Sequence, residues 1–169
     1  MKGSVSPSNQ KNLKLGGLHM ETVYEVLKIK QVGRKKKWNF DFDPKIRLSS
    51  PDTAAKIAEY YIGDEDREVF FVICLNTKNE INAIHRVHVG SINASVVHPR
   101  EVFKSAILNN SSYLLCFHNH PSGDPLPSRE DIEVTKRLVE SGKILGIEII
   151  DHIIIGQNRF VSLREKGHM

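Results

Sequence analysis

The sequence contains 169 residues, of which 40% are hydrophobic and 26% are charged, and its formal net charge is +4. This length is enough for one domain with a sizeable core and a short appendage, and no apolar run approaches the roughly 20 residues that cross a bilayer. The first residues lack the apolar h-region of a signal peptide, so we expect a cytoplasmic protein without membrane contact.

The N-terminal part of the chain shows little periodic pattern. Residues 1–20 are rich in Ser, Gly, Lys and Asn, which predicts a flexible leader, and an expression tag is an alternative origin for it. Residues 21–48 form a basic appendage that includes Arg34, Lys35, Lys36 and Lys37. A solvated arm is the ordinary interpretation of such a run, and a weak contact with nucleic-acid phosphates is the alternative. We take residues 49–169 as the folded domain.

The first half of that domain predicts a helix and two strands. The segment Ser50-Pro51-Asp52 begins a helix, because a capping serine precedes a proline at the first helical position. The almost continuous apolar run from Glu68 to Leu75 predicts a strand that is covered on both faces. A second strand is expected from Ile81 to Val89. His85 and His88 in this strand are three residues apart and should project to opposite faces of the sheet. They are therefore a poor pair of metal ligands.

The second half continues the alternation of helices and strands. The predicted elements are a helix at 99–109, a strand at 113–117, a helix at 128–141 and strands at 147–150, 153–155 and 160–163. Gly142 falls in the turn that is expected after the longer helix. This order predicts an α/β fold, in which a mixed sheet carries helices on its faces.

Two histidines and a carboxylate flank the loop after the strand at 113–117. His118 and His120 are two residues apart, so in an extended segment both imidazoles point to the same side. Asn119, between them, points away and is excluded as a ligand. Asp131 should lie in the first turn of the next helix and face the loop. Two neutral imidazoles and a carboxylate are a common catalytic zinc set, and non-haem iron accepts the same set.

Structural explanations of these residues stay open beside the metal site. Ser128 and Asp131 fit a helix N-cap, with an acid near the positive end of the helix. A loop histidine is usually a polar surface residue. Asp151 and His152 fit either a shell of contacts behind a metal or a purely structural role. The letters His-Asn-His do not indicate the nuclease family of that name, whose signature residues are dispersed along the chain.

The residue identities in this stretch are more specific than the spacing of the histidines and the aspartate alone. Residues 118–131 read His-Asn-His-Pro-Ser-Gly-Asp-Pro-Leu-Pro-Ser-Arg-Glu-Asp. This stretch resembles the JAMM (MPN-plus) metalloprotease motif, which is His-x-His, ten residues and Asp, with Ser three positions before the Asp. It looks like the RadC-type branch in particular. The resemblance extends from about residue 50 to residue 167 and includes the segments Leu75–Asn79, His98–Phe103 and Asp151–Gly156.

The resemblance implies a three-layer α-β-α sandwich with a mixed, cytidine-deaminase-like sheet. It implies a zinc ion held by His118, His120 and Asp131, and hydrolysis of a peptide-type amide in a peptide or protein substrate by a metallopeptidase or isopeptidase. The JAMM pattern takes its general base from a Glu at the start of the strand after the first long helix, which corresponds to Glu68. Ser128 would donate a hydrogen bond to the developing oxyanion.

Other functions are compatible with the same resemblance. RadC-type proteins traditionally carry a DNA-repair label, so a DNA-repair or mobile-element accessory protein that acts on or near nucleic acid is the alternative. Residues 21–48 lack the Gly-rich hairpin of the helix-hairpin-helix region that often precedes this domain in RadC-type proteins. A metal-free scaffold of the MPN-minus kind is disfavoured, because His118, His120, Ser128 and Asp131 fill every position of the motif.

Overall fold

The computed structural model describes residues 47–93 and 96–169. In this part of the chain the helices are α1 (Pro51–Ile62), α2 (Pro99–Leu108) and α3 (Arg129–Leu145). The strands are β1 (Val69–Leu75), β2 (Ile81–Val89), β3 (Tyr113–Asn119), β4 (Glu148–Ile155) and β5 (Phe160–Ser162). The predicted leader and the basic run 34–37 lie outside the described residues, so the proposed domain boundaries stay a prediction.

The strands form a mixed sheet in the order β2-β1-β3-β4-β5. β1 is antiparallel to both β2 and β3, β4 is antiparallel to β5, and β3 and β4 are parallel. Parallel neighbours require a crossover connection, and α3 provides it. The mixed sheet that the sequence predicts is therefore confirmed. Among the described residues, no helix has the length and apolar character to span a membrane.

Helices cover both faces of the sheet and make three layers. Phe71 packs with residues of α1, such as Ile57, in one apolar cluster. Phe70, its neighbour in β1, points to the opposite face and packs with Phe103 of α2 and Leu138 of α3 in a second cluster. All residues of β1 are buried, as expected for a strand that is covered on both faces. The predicted α-β-α sandwich is confirmed.

The last helix is longer than predicted, because Gly142 does not end it. α3 continues through Gly142 to Leu145 and ends before Gly146, which adopts a left-handed conformation with φ of 67°. A Cβ atom added at Gly142 would lie 2.5 Å from the carbonyl oxygen of Ile147. The glycine therefore permits a close approach inside the packed structure, and the helix stop is Gly146.

Two further expectations about strands are wrong. β4 is one strand where two were predicted, because its polar residues Asp151 and His152 are both buried and hydrogen-bonded. In β2 a register shift places His88 opposite Phe70 and His85 opposite Val72. Phe70 and Val72 face the same helical layer. A bulge thus adds one residue and brings the two histidines to one face of the sheet.

Candidate metal centre

The candidate ligands lie where β3 ends and α3 begins. β3 ends at Asn119, and the backbone N–H of His120 donates to the carbonyl of Ile155 in β4 at 2.8 Å, which extends the sheet pairing by one bond. Ser128 is the N-cap residue of α3, and Asp131 lies in the first turn of that helix. The end of a sheet strand and the start of the crossover helix thus present their side chains to a common point.

The structure brings His118, His120 and Asp131 together. The Nε2 atom of His118 lies 3.1 Å from Oδ1 of Asp131 and 3.0 Å from Nε2 of His120, and the latter lies 3.5 Å from Oδ2 of Asp131. His118 is fully buried, Asp131 is nearly so, and the side chain of His120 is 14% exposed. Within the described ranges this is the group of His, Cys, Asp and Glu side chains whose ligand atoms converge as a metal site requires.

Two hydrogen bonds from Ser128 hold the carboxylate of Asp131. Its Oδ2 atom accepts from the backbone N–H of Ser128 at 2.8 Å and from the hydroxyl of Ser128 at 2.6 Å. The N–H of Asp131 donates back to that hydroxyl oxygen at 3.1 Å, which completes a capping box. The helix cap and the ligand position are therefore compatible, because the cap uses Oδ2 and leaves Oδ1 beside His118.

The electrostatics of the group favour a positive charge between the imidazoles. Burial favours the neutral acid of Asp131, but the hydrogen bonds to His118 and His120 outweigh it and hold the pKa of this carboxyl well below its usual range. The pKa of His120 is raised above its ordinary value, first by the hydrogen bond to Asp131. An ionised carboxylate that faces two imidazoles needs a cation, and either a proton or a divalent metal ion supplies one. The donor set thus fits zinc.

A bond to a backbone carbonyl sets the orientation of the more exposed imidazole. The Nδ1 atom of His120 lies 2.7 Å from the carbonyl oxygen of Asp124. A carbonyl oxygen can only accept, so Nδ1 carries the hydrogen, and in the neutral ring the Nε2 lone pair points to His118 and Asp131. The side chain of Asp124 accepts from Leu126 N–H at 3.3 Å, which stabilises the loop that supplies this carbonyl.

Glu68 lies at the rim of the same site. It directly precedes β1, and its Oε2 atom accepts from the backbone N–H of Ile92 at 2.8 Å. A cleft of about 400 Å³ is lined by Glu68 together with His120, Ser128 and Asp131. The negative charge of Glu68 also contributes to the raised pKa of His120, after the contributions of Asp131 and Asp124. The structure therefore brings both predicted catalytic residues, Glu68 and Ser128, to the cleft that His120 and Asp131 line.

Comparison with known proteins supports the relationship that the motif suggests. A family model described as the RadC-like JAB domain matches residues 48–168. The chain belongs to the RadC-like JAB domain family.

Several relatives of this RadC-like JAB domain are UPF0758 proteins. One from Bacillus cereus (strain G9842) is 44% identical over 157 residues, which cover 93% of this chain and 69% of the relative. One from Bacillus cereus (strain AH187) is 52% identical over 131 residues, which cover 76% of this chain and 57% of the relative. One from Geobacillus sp. (strain WCH70) is 46% identical over 155 residues, which cover 90% and 67%. The chain thus spans between 57% and 69% of these relatives' lengths.

Asn119 has a role that the sequence analysis did not assign. The side chain is buried and points away from the ligand group. Its Oδ1 atom accepts from Val69 N–H at 2.8 Å, and its Nδ2 atom donates to the carbonyls of Arg67 at 3.0 Å and Glu65 at 3.3 Å. Because these residues flank Glu68, the amide of Asn119 ties the segment that carries Glu68 to the strand that carries His118.

The structure separates the roles of Asp151 and His152, which the sequence left open together. The carboxylate of Asp151 accepts from Ser162 Oγ at 2.6 Å and from Arg164 N–H at 3.1 Å, which connects β4 to the chain around β5. His152 instead lies behind a candidate ligand, with its Nε2 atom 2.9 Å from Nδ1 of His118. Its other ring nitrogen lies 2.6 Å from Oγ1 of Thr135. Sequence periodicity indicates only that Thr135 is on the buried face of α3.

Proposed function

We propose that this RadC-like JAB domain is a zinc-dependent metallopeptidase or isopeptidase. The observation that carries the proposal is the convergence of two imidazole nitrogens and a carboxylate beside a cleft that His120 and Asp131 line together with a second carboxylate, that of Glu68. When bound, zinc would lower the pKa of a water molecule to about 7 and polarise the carbonyl of an amide. His118, His120 and Asp131 would hold it, with one position left for solvent or substrate.

Glu68 is the general base and acid in this proposal. The N–H of Ile92 holds Oε2, so Oε1 is the oxygen that takes a proton from the attacking water and delivers it to the leaving amine. The partial burial of Glu68 limits the positions of its carboxylate, and Asn119 holds the backbone on both sides of it. Positioning of this kind is a large part of general acid–base catalysis.

Ser128 contributes to both the ligand set and the oxyanion in this proposal. Its hydroxyl hydrogen is directed at Oδ2 of Asp131, so donation to an oxyanion requires that the hydroxyl turn into the cleft. The backbone N–H of Ser128 also donates to Oδ2, at 2.8 Å, and keeps the carboxylate in place while the hydroxyl turns. Ser128 can therefore serve the oxyanion without release of the ligand.

The charge around the site favours a peptide over a nucleic-acid substrate. The cleft with Glu68 adjoins a second cleft, and the two share His120, Pro121 and Ser122. No described residue that lines either cleft is a lysine or arginine, whereas the acidic side chains besides the ligand are Glu59, Asp64, Glu65, Glu68 and Glu130. Because nucleic-acid backbones are bound mainly through Lys and Arg, a phosphodiester would lack its usual partners here.

A cleavage assay with matched metal analysis tests the proposal. The purified protein should contain about one zinc ion per chain and cleave members of a library of peptides and isopeptide-linked peptides. Chelation should stop cleavage, and added zinc should restore it. Recovery of cleavage with iron(II) but not with zinc would show that the functional metal is iron. A zinc-loaded protein that cleaves neither kind of bond would contradict the peptidase assignment.

We propose weak nucleic-acid binding as a second candidate function, on the basis of the basic run and of the RadC-like family description. Duplex DNA affinity should fall steeply with salt. Replacement of Arg34, Lys35, Lys36 and Lys37 by Gln should reduce the slope of log K against log[salt] by up to about 3.6, if every charge contacts a phosphate. Fluorescence anisotropy over a salt series measures this. Tight binding that survives the replacement would contradict a role for this run.

A further inference from the structure

A continuous path of buried hydrogen bonds lies behind the candidate metal ligands. Nδ1 of His118 is 2.9 Å from Nε2 of His152, and Nδ1 of His152 is 2.6 Å from Oγ1 of Thr135. The hydroxyl of Thr135 donates at 2.6 Å to the backbone carbonyl of Asp131. Each of these residues is at most 3% exposed. The path begins at one ligand, passes through β4 and α3, and ends at another ligand.

The position of every hydrogen along this path follows from chemistry. The carbonyl of Asp131 can only accept, so the single hydroxyl hydrogen of Thr135 is used there, and the Thr135 oxygen must accept from Nδ1–H of His152. Complete burial disfavours a charged imidazole, so His152 is neutral and its Nε2 carries a lone pair. That lone pair accepts from Nδ1–H of His118. In the neutral ring of His118 the lone pair is then on Nε2, which lies 3.1 Å from Oδ1 of Asp131 and is available to a metal ion.

Apolar contacts leave this path little freedom. The ring of Phe70 stacks on His118 with a centroid distance of 6.4 Å and an interplanar angle of 9°, and it lies 5.2 Å from the ring of His152. Phe70 is itself completely buried. Water is thereby kept from the Nδ1 side of His118, which leaves His152 as the group that decides its tautomer. His120 differs, because a backbone carbonyl in an exposed loop decides its tautomer.

We propose that His152 and Thr135 are positioning residues that hold His118 in the tautomer able to bind a metal through Nε2 and that lock this ligand to the backbone of Asp131. The inference rests on the proposed metal site. Neither His152 nor Thr135 contacts substrate in this proposal. Removal of the Thr135 hydroxyl leaves Nδ1–H of His152 without an acceptor. The neutral ring of His152 is then more stable with its hydrogen on Nε2. That hydrogen is donated to Nδ1 of His118, so the hydrogen of His118 moves to Nε2, the nitrogen that should bind the metal.

Thr135→Val is the most direct test, because valine has the shape of threonine without its hydroxyl. Loss of contacts behind a metal ligand typically lowers metal affinity about 10–100-fold. We expect a loss of that size for Thr135→Val, measured by competition of the full chain with a chromophoric zinc chelator. Thr135→Ser, which keeps the hydroxyl, should recover most of the affinity. Cys116→Ala is the matched control, since Cys116 is equally buried and lies opposite His152 in the sheet.

A second readout separates positioning from general damage to the fold. Nitrogen-15 NMR of the imidazole of His118 should show the Nδ1–H tautomer in the wild type and in Cys116→Ala, and a shift towards Nε2–H in Thr135→Val. Thermal melting of each variant reports whether the fold is kept. Wild-type zinc affinity and an unchanged His118 tautomer in folded Thr135→Val would overturn the inference. A wild type without zinc affinity would instead contradict the proposed function, and the tautomer measurement would still test the path.

Discussion

Glu68→Gln should slow amide hydrolysis by about 10²–10⁴, which corresponds to roughly 3–5 kcal/mol of activation free energy. Glutamine keeps the shape of glutamate, and its carbonyl oxygen can still accept from Ile92 N–H, as Oε2 of Glu68 does at 2.8 Å. It cannot take a proton at neutral pH. Because no metal ligand is changed, the zinc content and the melting temperature should stay near the wild-type values. Steady-state cleavage, metal analysis and a melting curve on one preparation test these expectations together.

Neighbouring acids provide controls for Glu68→Gln. Glu130 lines the same cleft but is exposed, so Glu130→Gln should cleave at close to the wild-type rate. Glu65 forms a 2.7 Å ion pair with Arg86, and Glu80 accepts from the side chain of Asn76 at 2.8 Å in the turn between β1 and β2. Each of these two carboxylates is therefore held by a partner outside the cleft that Glu68 lines. Wild-type cleavage by Glu68→Gln would show that Glu68 is not the base and would direct attention first to Glu65.

The features that could be predicted from the sequence have local causes. The start of α1 follows from a capping serine and a proline, and the bounds of β2 follow from turn residues at both ends. The convergence of His118 with His120 follows from the period of an extended chain, and the position of Asp131 follows from its place in a first helical turn. Each of these depends on residues that are close in sequence, so a pattern can reveal it.

The features that escaped prediction depend on contacts between distant segments. His118 and His152 are 34 residues apart, and the register of the parallel strands β3 and β4 decides that they meet. The same register brings His152 to Thr135, 17 residues away, on the crossover helix. Gly142 resembles a turn residue in the sequence, because its close approach to Phe103 of α2, 3.3 Å between an added Cβ atom and Cζ, exists only after α3 packs. Local periodicity contains no information about any of these contacts.

Removal of a candidate ligand should abolish stoichiometric zinc binding. The expectation applies to His118→Ala and to His120→Ala, because each change leaves two ligands of the three that the site offers. His120→Ala is the better variant for folding, since the side chain of His120 is partly exposed. His118 is completely buried, and its loss would also leave Nε2 of His152 without a partner. Metal analysis after dialysis measures the zinc content, and His88→Ala serves as a control because His88 lies outside the ligand group.

The same variants predict how zinc should change stability. A ligand that binds only the folded state raises the free energy of unfolding by about 2.7 kcal/mol at a concentration 100 times its dissociation constant. Added zinc should therefore raise the melting temperature of the wild type and of His88→Ala, and it should leave that of His120→Ala unchanged. Asp131→Asn should behave like His120→Ala, because the amide can keep the hydrogen bonds from Ser128 but loses the charge that the metal requires. Undiminished zinc in His120→Ala and Asp131→Asn, with an equal thermal shift, would place the metal at other residues and end this assignment.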